Sequence, residues 1–343
     1  MTMTVLVTGD LHLSDNARDK YRHDFMVKLP ALARKQRADL ILILGDLTEE
    51  KDRFAAELVN AVVDHLHALA RVAPVIVLQG NHDYLNIESP FFAFLARLEG
   101  LTWVNRPTAL NSLENVPATV SRALGKAILC PHTSNCLKDW AKIDFKGYNW
   151  AFMHQTFTGA VSETGFKLSG IPLNYFPKNL QIISGDIHRP QELGNLTYCG
   201  APFLVDFGDQ GISRMLLIDA SGKLKSLPCA GPQKRLVTVG SIKELAKQPQ
   251  LNENDVLKVR VEIEPGDYPR WPEMVEQVKA WGADNGFLIH LVQPVVQATS
   301  RSMISQRTAA PSKTDEQLLK DYAKHRGVDE NTVKAGLKLL DGI

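Results

Sequence analysis

The chain has 343 residues, a hydrophobic content of 44% and a formal net charge of +1. This length predicts one large domain with a smaller addition, and the near-zero charge excludes attraction of the whole molecule to nucleic acid, so any contact with DNA has to be a local patch. Since the amino terminus lacks a signal-peptide pattern and no apolar run approaches the ~20 residues that span a bilayer, we expect a soluble, cytoplasmic protein without a membrane partner.

Strands and helices alternate through the first hundred residues. The strand TVLVT is followed by a helix from about Ala17 to Arg37, which Pro30 is expected to kink or divide. The strand LILIL comes next, and Asp52 is predicted to cap a helix that carries an apolar stripe from Phe54 to Leu69. A strand, VIVL, then a short helix in SPFFAFLARLEG and a strand, LTWV, complete this half, whereas residues 111–126 give little signal.

The second half is rich in strands and poor in helices. The candidate strands lie in AILCP, YNWAFMH, LQIISGD, NLTYCGAP and RMLLIDASGKL. This pattern predicts an α/β fold in which two stacked sheets carry helices outside, a four-layer α/β/β/α sandwich over residues 1–232. Cys130 and Cys136 flank His132 in CPHTSNC, which we interpret as a surface loop and not as a metal site.

Two smaller regions follow this sandwich. Residues 233–298 contain a strand in VLKVRVEIEPG, a helix in PEMVEQVKAWGADNG and a strand in FLIHLVQPVV, which together predict a small α/β capping domain. Residues 299–343 are predicted to be a polar linker and a C-terminal pair of amphipathic helices. We expect the apolar stripe of that pair to pack on its own domain, on another subunit or on a partner helix.

Polar side chains of the types that bind metals follow five of the predicted strands. Open α/β sheets bind ligands outside the carboxyl ends of their strands. These strand ends carry Asp10 and His12, then Asp46, then Asn81 with His82 and Asp83, then His154, and finally Asp186 and His188. A single Asp or His at a strand end is usually a cap. Five strand ends that all carry such residues are not explained by capping, so the set predicts a metal site.

The donor set suits two divalent ions. Imidazole, carboxylate and carboxamide ligands favour Mn²⁺, Fe²⁺ or Zn²⁺, with Mg²⁺ a further candidate, and we expect Mn²⁺. Asp46 stands alone at its strand end and is the natural bridge between two ions that act on a phosphate. His82 adjoins Asn81 and is better placed to donate a proton to the leaving oxygen, with Asp83 holding its ring in the useful tautomer.

The motifs GDLH, GD, GNHD, a lone His after a strand, and GDIH resemble those of the calcineurin-like metallophosphoesterase superfamily over roughly residues 5–230. The segment YCGAPFLVDFGDQ is similar to the Mre11 and SbcD branch, whose members are DNA nucleases of cells and phages. The resemblance implies that Asp10, His12, Asp46 and His188 hold one metal, and that Asp46, Asn81, His154 and Asp186 hold the other. It also implies a DNA substrate and an ATPase partner of the SbcC or Rad50 type, and it is compatible with a homodimer.

Two departures from this family pattern stand out. Asp186 occupies the place of the first histidine of the usual Gly-His-x-His motif, which makes the site more anionic by one charge. LTEEKDR after Asp46 replaces the aromatic residue and the His or Asp that nuclease members more often carry. Three readings therefore stay open: a DNA phosphodiesterase, a small-molecule phosphoesterase or protein phosphatase that uses the same site, and a metal-free binding subunit.

Overall fold

The computed structural model describes residues 3–209, 212–248, 251 and 255–296, together with Lys320, Ala323, Thr332, Val333 and Leu337. The predicted linker and most of the predicted C-terminal helical pair lie outside the described residues. Within the part that is described, no helix combines the length and the apolarity needed to cross a bilayer.

The strands and α-helices are numbered here in chain order. The strands are β1 Thr4–Thr8, β2 Leu40–Ile43, β3 Val75–Leu78, β4 Leu101–Val104, β5 Thr108–Ala109, β6 Ala127–Cys130, β7 Trp150–His154, β8 Gln181–Gly185, β9 Gln191–Leu193, β10 Leu196–Tyr198, β11 Arg214–Asp219, β12 Leu224–Pro228, β13 Lys234–Val239, β14 Val256–Ile263 and β15 Leu288–Val296. The α-helices are α1 Lys20–Lys35, α2 Ala56–Ala70, α3 Ala118–Leu124, α4 Cys136–Asp139, α5 Ile242–Leu245 and α6 Trp271–Asp284.

Two six-stranded sheets form the main body, as the strand-rich pattern predicts. The first sheet has the order β12-β11-β1-β2-β3-β4, and the second has the order β5-β6-β7-β8-β10-β9. Strands β1 to β4 run parallel to one another, and so do β6, β7 and β8. The carboxyl ends of these parallel strands therefore meet at one edge of each sheet.

Alternation along the buried strands distributes their side chains between two cores. In β2, Ile41 and Ile43 pack with α1 and α2 in the outer core, while Leu40 and Leu42 face the core between the sheets. A third core lies on the other face of the second sheet, where Trp140, Phe145 and other buried residues pack under short helices and loops. The layering confirms the predicted α/β/β/α sandwich, with a thinner helical layer over the second sheet.

A three-stranded sheet, in the order β13-β14-β15, accompanies helix α6. Strand β14 alternates between fully and partly buried residues over most of its length, which is typical of a sheet with one covered face. The strands and the helix predicted for residues 233–298 are thus confirmed. Two compact units are distinguished in the chain: one comprises residues 1–262 and 269–294, and the other comprises residues 263–268 and 295–343. The predicted domain boundaries at 232 and 298 stay predictions.

Several local predictions need correction. Helix α2 begins after Ala55, which supplies no side-chain hydrogen bond, so the predicted cap at Asp52 was wrong. Asp52 lies too far ahead of the first turn, because an N-cap side chain reaches only the backbone two or three residues on. The segment from Phe91 to Arg97 is a 3₁₀ helix, α3 lies in the region that gave little signal, and α1 runs undivided through Pro30.

Candidate dimetal site

The predicted ligands converge where the parallel strands of both sheets end. Ligand atoms of Asp10, His12 and His188 lie within 4.8 Å of one another, as do those of Asp10, Asp46 and His154. A third group joins His12 and Asp46 to His82. Residues that are up to 178 positions apart in the chain, from both sheets, therefore share one cluster.

The backbone of this cluster is strained. Asp10, His12, Asp46 and Asp186 have positive φ angles of 53°, 42°, 52° and 84°. Among the described residues, Arg37 is the only other non-glycine residue with a positive φ. Such conformations cost on the order of 1–3 kcal/mol each and concentrate at functional sites.

Two glycines permit close packing at the centre of the cluster. A Cβ atom on Gly80 would lie 2.2 Å from Asp46 Oδ1, and one on Gly45, where φ is +93°, would lie 2.4 Å from His154 Nδ1. Glycine is needed at both positions because the ligands themselves occupy the space that a side chain would take.

One half of the cluster is built around His154. Its Nδ1 donates to the carbonyl of Leu44 at 2.5 Å, since a carbonyl oxygen only accepts. Its Nε2 faces the Oδ1 atoms of Asn81 at 2.8 Å, of Asp46 at 3.3 Å and of Asp186 at 3.8 Å. With Nδ1 protonated, Nε2 faces three oxygen atoms, so this arrangement is stabilised by a positive charge, either a proton on Nε2 or a metal ion between these atoms.

The acid–base properties of these groups point to the same positive charge. Burial alone would lower the pKa of His154, but the carboxylates of Asp46, Asp10 and Asp186 raise it well above its ordinary value. Burial would raise the pKa of Asp46, yet His154 and His12 hold it far below its usual range. The pocket therefore favours a cation at this position, and carboxylate, imidazole and carboxamide donors fit a divalent metal ion.

The other half of the cluster pairs two imidazoles. His12 Nε2 lies 3.2 Å from His188 Nε2 and 3.5 Å from Asp46 Oδ2. Asp10 Oδ2 is buried and has no hydrogen-bond partner among the described residues. Burial would lower the pKa of His188, but Asp209 and Asp10 raise it to about 9. Facing nitrogen atoms and an unpaired carboxylate oxygen again fit a cation.

The predicted pairing of His82 with Asp83 needs correction. His82 Nδ1 donates to the carbonyl of Glu49 at 2.8 Å, so Glu49 and not Asp83 orients the ring. Both carboxylate oxygens of Asp83 accept backbone N–H groups, from Asp46, Leu47 and Gly80 at 2.7–2.9 Å. Asp83 is buried among these groups, and it fixes the turns that carry the ligands.

Asp186 lies at the edge of the His154 half. Its backbone N–H donates to Asp10 Oδ1 at 3.0 Å, and its Oδ2 accepts a hydrogen bond from the hydroxyl of Thr156. Its other oxygen is the one that faces His154 Nε2. Thr156 was missed in the sequence, although its place two residues after His154 is a usable signal.

Two further carboxylates stand behind the imidazoles and were not predicted. Glu49 lies 3.3 Å from His12 Nδ1 and forms an ion pair with the buried Arg22 at 3.1 Å. Asp209 lies 3.6 Å from His188 Nδ1. The sequence held a weak signal for each, since Glu49 falls in the segment that departs from the family pattern and Asp209 in YCGAPFLVDFGDQ.

His132 also belongs to this region, contrary to the interpretation of its segment as a surface loop. It follows β6, and its ring lies edge-on to His154 with the ring centroids 6.1 Å apart. Its Nδ1 is 2.8 Å from the hydroxyl of Tyr84, and its backbone N–H donates to Gln79. A sixth strand end therefore borders the candidate site, although His132 contributes to none of the ligand groups above.

The fold and this cluster define a metallophosphoesterase. The chain matches the calcineurin-like phosphoesterase family over residues 3–198, more than half of its length, and it belongs to that family. Divalent metal ions are the cofactors of this family, and the Asp and His cluster is where the chain has the groups to hold them.

The chain is also similar to three individual proteins. The chain is 21% identical to the uncharacterised protein R555 of Acanthamoeba polyphaga mimivirus, over 96% of this chain and 25% of that protein. It is 24% identical to "Putative phosphoesterase 244L" of Invertebrate iridescent virus 6, over 62% of this chain and 75% of that protein. Among solved structures, the phosphoesterase Yfce of E. coli matches at 16% identity with a TM-score of 0.33, over 63% of this chain and 88% of that one. The chain thus spans only about a quarter of its mimivirus relative.

Proposed function

We propose that this chain is a two-metal-dependent phosphodiesterase that cleaves DNA, the exonuclease and endonuclease subunit of an Mre11/SbcD-like complex in DNA repair, recombination or replication. The observation that carries the hydrolytic part is the cluster in which His154 Nε2, His12 Nε2 and His188 Nε2 face carboxylate oxygens and one another. A divalent cation bound among these atoms would take their lone pairs and balance the buried carboxylates.

Asp10, His12, Asp46 and His188 would hold one metal, and Asp46, Asn81, His154 and Asp186 the other. Bound Mn²⁺, or another divalent ion of similar preference, supplies an activated water and draws charge from the phosphate. Asp46 reaches both halves of the cluster, because its Oδ2 faces His12 and its Oδ1 faces His154. This contact pattern supports its role as the bridge.

His82 is the proposed acid for the leaving oxygen. Its Nδ1 proton is committed to the carbonyl of Glu49, and its ring lies edge-on to His12 with the centroids 4.9 Å apart. Only Nε2 is therefore available for proton transfer, and it donates only when the ring carries protons on both nitrogens. The backbone N–H of His82 donates to Asp46 Oδ1 at 2.9 Å, so the acid and the bridge are positioned together.

Sequence features beyond the metal cluster support the choice of DNA as substrate. YCGAPFLVDFGDQ resembles the Mre11 and SbcD branch, and a small-molecule hydrolase has no evident use for the 108 residues after position 235. The chain contains no GxxxxGK[ST] phosphate-binding loop. The resemblance to the Mre11 and SbcD branch implies an ATPase partner of the SbcC or Rad50 type. We propose that the C-terminal helical pair, 314–340, binds that partner.

The test is digestion of 5′-labelled and 3′-labelled duplex DNA with Mn²⁺, run beside a chromogenic phosphodiester. We expect both substrates to be cleaved, chelator to abolish cleavage reversibly, and Asp46→Ala to abolish it permanently, because the bridge is lost. Full activity of Asp46→Ala would refute the assignment of two metals. Cleavage of the chromogenic ester without cleavage of DNA would refute the nuclease proposal alone.

A small-molecule phosphoesterase or protein phosphatase that uses the same site is the second candidate. It is favoured by the viral relative 244L, whose name specifies a phosphoesterase and no nucleic acid. A panel of phosphomonoesters in the same assay separates the two candidates.

The proposed role of the tail has its own experiment. Deletion of residues 301–343 is expected to leave hydrolysis of the chromogenic diester intact, while co-purification with the ATPase and its stimulation of duplex cleavage are lost. A truncated protein that unfolds, or that keeps its partner, would show that the tail packs on its own domain.

A further inference from the structure

The two proposed metal positions differ in what lies behind their imidazole ligands. Metal-bound histidines donate their second ring N–H to a partner, which fixes the ring and sets the basicity of the coordinating nitrogen. In this chain the partner of His154 is a neutral peptide carbonyl, that of Leu44. The groups that face Nδ1 of His12 and of His188 are the carboxylates of Glu49, at 3.3 Å, and of Asp209, at 3.6 Å, both at ion-pair distance.

Glu49 is held in place independently of His12. Arg22, which is only 4% exposed, lies 3.1 Å from the carboxylate of Glu49 and 3.2 Å from that of Asp19. The same guanidinium donates to the carbonyl of His12. A buried arginine with these partners has little freedom to move, so the carboxylate stays at His12 Nδ1.

Asp209 is anchored in a different way. Its Oδ2 accepts the backbone N–H groups of Val205 at 2.6 Å and of Asp206 at 2.9 Å, which leaves Oδ1 directed at His188. Oδ1 is buried, lies 3.6 Å from His188 Nδ1 and makes no hydrogen bond among the described residues. Arg22 also donates to the carbonyl of Val205 at 3.4 Å, so both carboxylates belong to one connected network.

We propose that Glu49 and Asp209 are positioning residues. By orienting His12 and His188, they make one metal position bind its ion more tightly than the other. The tighter position is the one formed by Asp10, His12, Asp46 and His188. The proposal rests on the metal assignment of the proposed function and on nothing concerning its substrate. The number of coordinating carboxylates does not decide the order, because the positions share Asp46 and each adds one more, Asp10 or Asp186. The two metal positions differ in the number of imidazole ligands and in the charge of the groups that face the second ring nitrogen of those imidazoles.

The magnitude of the effect follows from the type of contact. Loss of a partner behind a metal-bound histidine typically weakens metal binding by about 10–100-fold. The first position has two such partners and both are anionic, whereas the second has one neutral partner. We therefore expect two separable phases of metal binding, with the first position filled before the second.

The experiment is a Mn²⁺ titration of the full-length protein after chelator treatment, with free Mn²⁺ counted by electron paramagnetic resonance and heat measured by calorimetry. Glu49→Gln and Asp209→Asn are each expected to weaken the tight phase about 10–100-fold and to leave the weak phase unchanged. Asp186→Asn should weaken the weak phase only. Glu50→Gln, at the exposed neighbouring position, is the matched control for Glu49→Gln and should change neither phase.

Titration with Co²⁺ gives a second readout, which a general destabilisation of the variant protein would not change. The visible spectrum of the first equivalent should change in Glu49→Gln and in Asp209→Asn, whereas that of the second equivalent should not. The inference is overturned if both variants keep the tight phase, if they alter only the weak phase, or if no Mn²⁺ binds. Ligand atoms of His188, Asp206 and Asp209 also lie within 4.8 Å of one another. A third equivalent of Mn²⁺ that disappears in Asp206→Asn would therefore make Asp209 a ligand and would also overturn the inference.

These outcomes are distinct from failure of the proposed function. A protein that binds two Mn²⁺ ions in the expected order but cleaves no DNA supports the inference about Glu49 and Asp209, and it refutes the nuclease proposal. Cleavage of DNA with unchanged metal binding in both variants supports the nuclease proposal and refutes the inference.

Discussion

Gly45→Ala tests whether the metal cluster depends on close packing of backbone against ligand. The added Cβ would lie 2.4 Å from His154 Nδ1 and 2.8 Å from the Cα of Gly80, both on elements that the fold holds in place. Since ordinary contact begins near 3.4 Å, the imidazole has to retreat by about 1 Å. That displacement separates Nδ1 from the carbonyl of Leu44 and moves Nε2 away from the oxygen atoms that face it.

Two costs combine in this variant. A non-glycine residue at the φ of +93° costs on the order of 1–3 kcal/mol, and overpacking of a filled site costs roughly 1–3 kcal/mol more. Gly165→Ala is the matched control, because Gly165 has a φ of +91° but nothing within 4 Å of the added Cβ. The control carries the backbone cost alone, so the difference between the two variants isolates the contact with His154.

The assay is urea denaturation in the presence of chelator, followed by Mn²⁺ titration of each variant. We expect Gly45→Ala to be less stable than Gly165→Ala by about 1–3 kcal/mol and to lose the weak phase of metal binding, whereas Gly165→Ala keeps both phases. If the two variants are equally stable and bind metal alike, the proposed dependence on His154 packing is wrong.

Three further predictions concern single residues. His82→Ala should keep both metals but lose turnover, because its proposed role is proton donation, and loss of metal from this variant would reassign it as a ligand. Asp186→His should keep two-metal occupancy and shift preference towards ions that favour nitrogen; unchanged occupancy and preference both here and in Asp186→Ala would show that Asp186 is no ligand. Burial and the neighbouring His23 lower the pKa of His65 below 6.5, so the folded protein binds fewer protons than the unfolded chain and stability falls as the pH drops through and below 6.5. His65→Gln should reduce this loss of stability between pH 7.5 and pH 5, measured by urea denaturation with chelator present. His67→Gln, on the same helix, is the control. If His65→Gln loses as much stability as the unchanged protein, His65 does not cause the pH dependence.

The clustering of the candidate ligands was predictable because it follows from local patterns. An apolar run that ends in glycine and then Asp, Asn or His identifies a strand and its polar end within about ten residues, and parallel strands bring such ends together. The two sheets, their layering and the positions of Asp10, His12, Asp46, Asn81, His154, Asp186 and His188 at one edge agree with that reasoning.

The supporting contacts were not predictable in this way. Asp83 was predicted to orient its neighbour His82, yet its carboxylate accepts hydrogen bonds from the backbone of Asp46 and Leu47, which are 37 and 36 residues away in the chain. The partnership of Glu49 with Arg22 likewise depends on how α1 packs against the turn after β2. Such pairings are set by the relative placement of whole elements, which periodicity along one element does not encode.

The positive φ angles at Asp10, His12, Asp46 and Asp186 mean that the candidate ligands impose an unfavourable backbone conformation on the chain. Aspartate and asparagine tolerate this backbone region better than most residues, and glycine tolerates it best. A descendant of this protein that no longer needed hydrolysis would gain stability by replacing these four residues, with glycine relieving the backbone and asparagine relieving the buried charge. Loss of the activity would thus leave a recognisable trace in the sequence, because selection for stability alone acts against all four ligands at once.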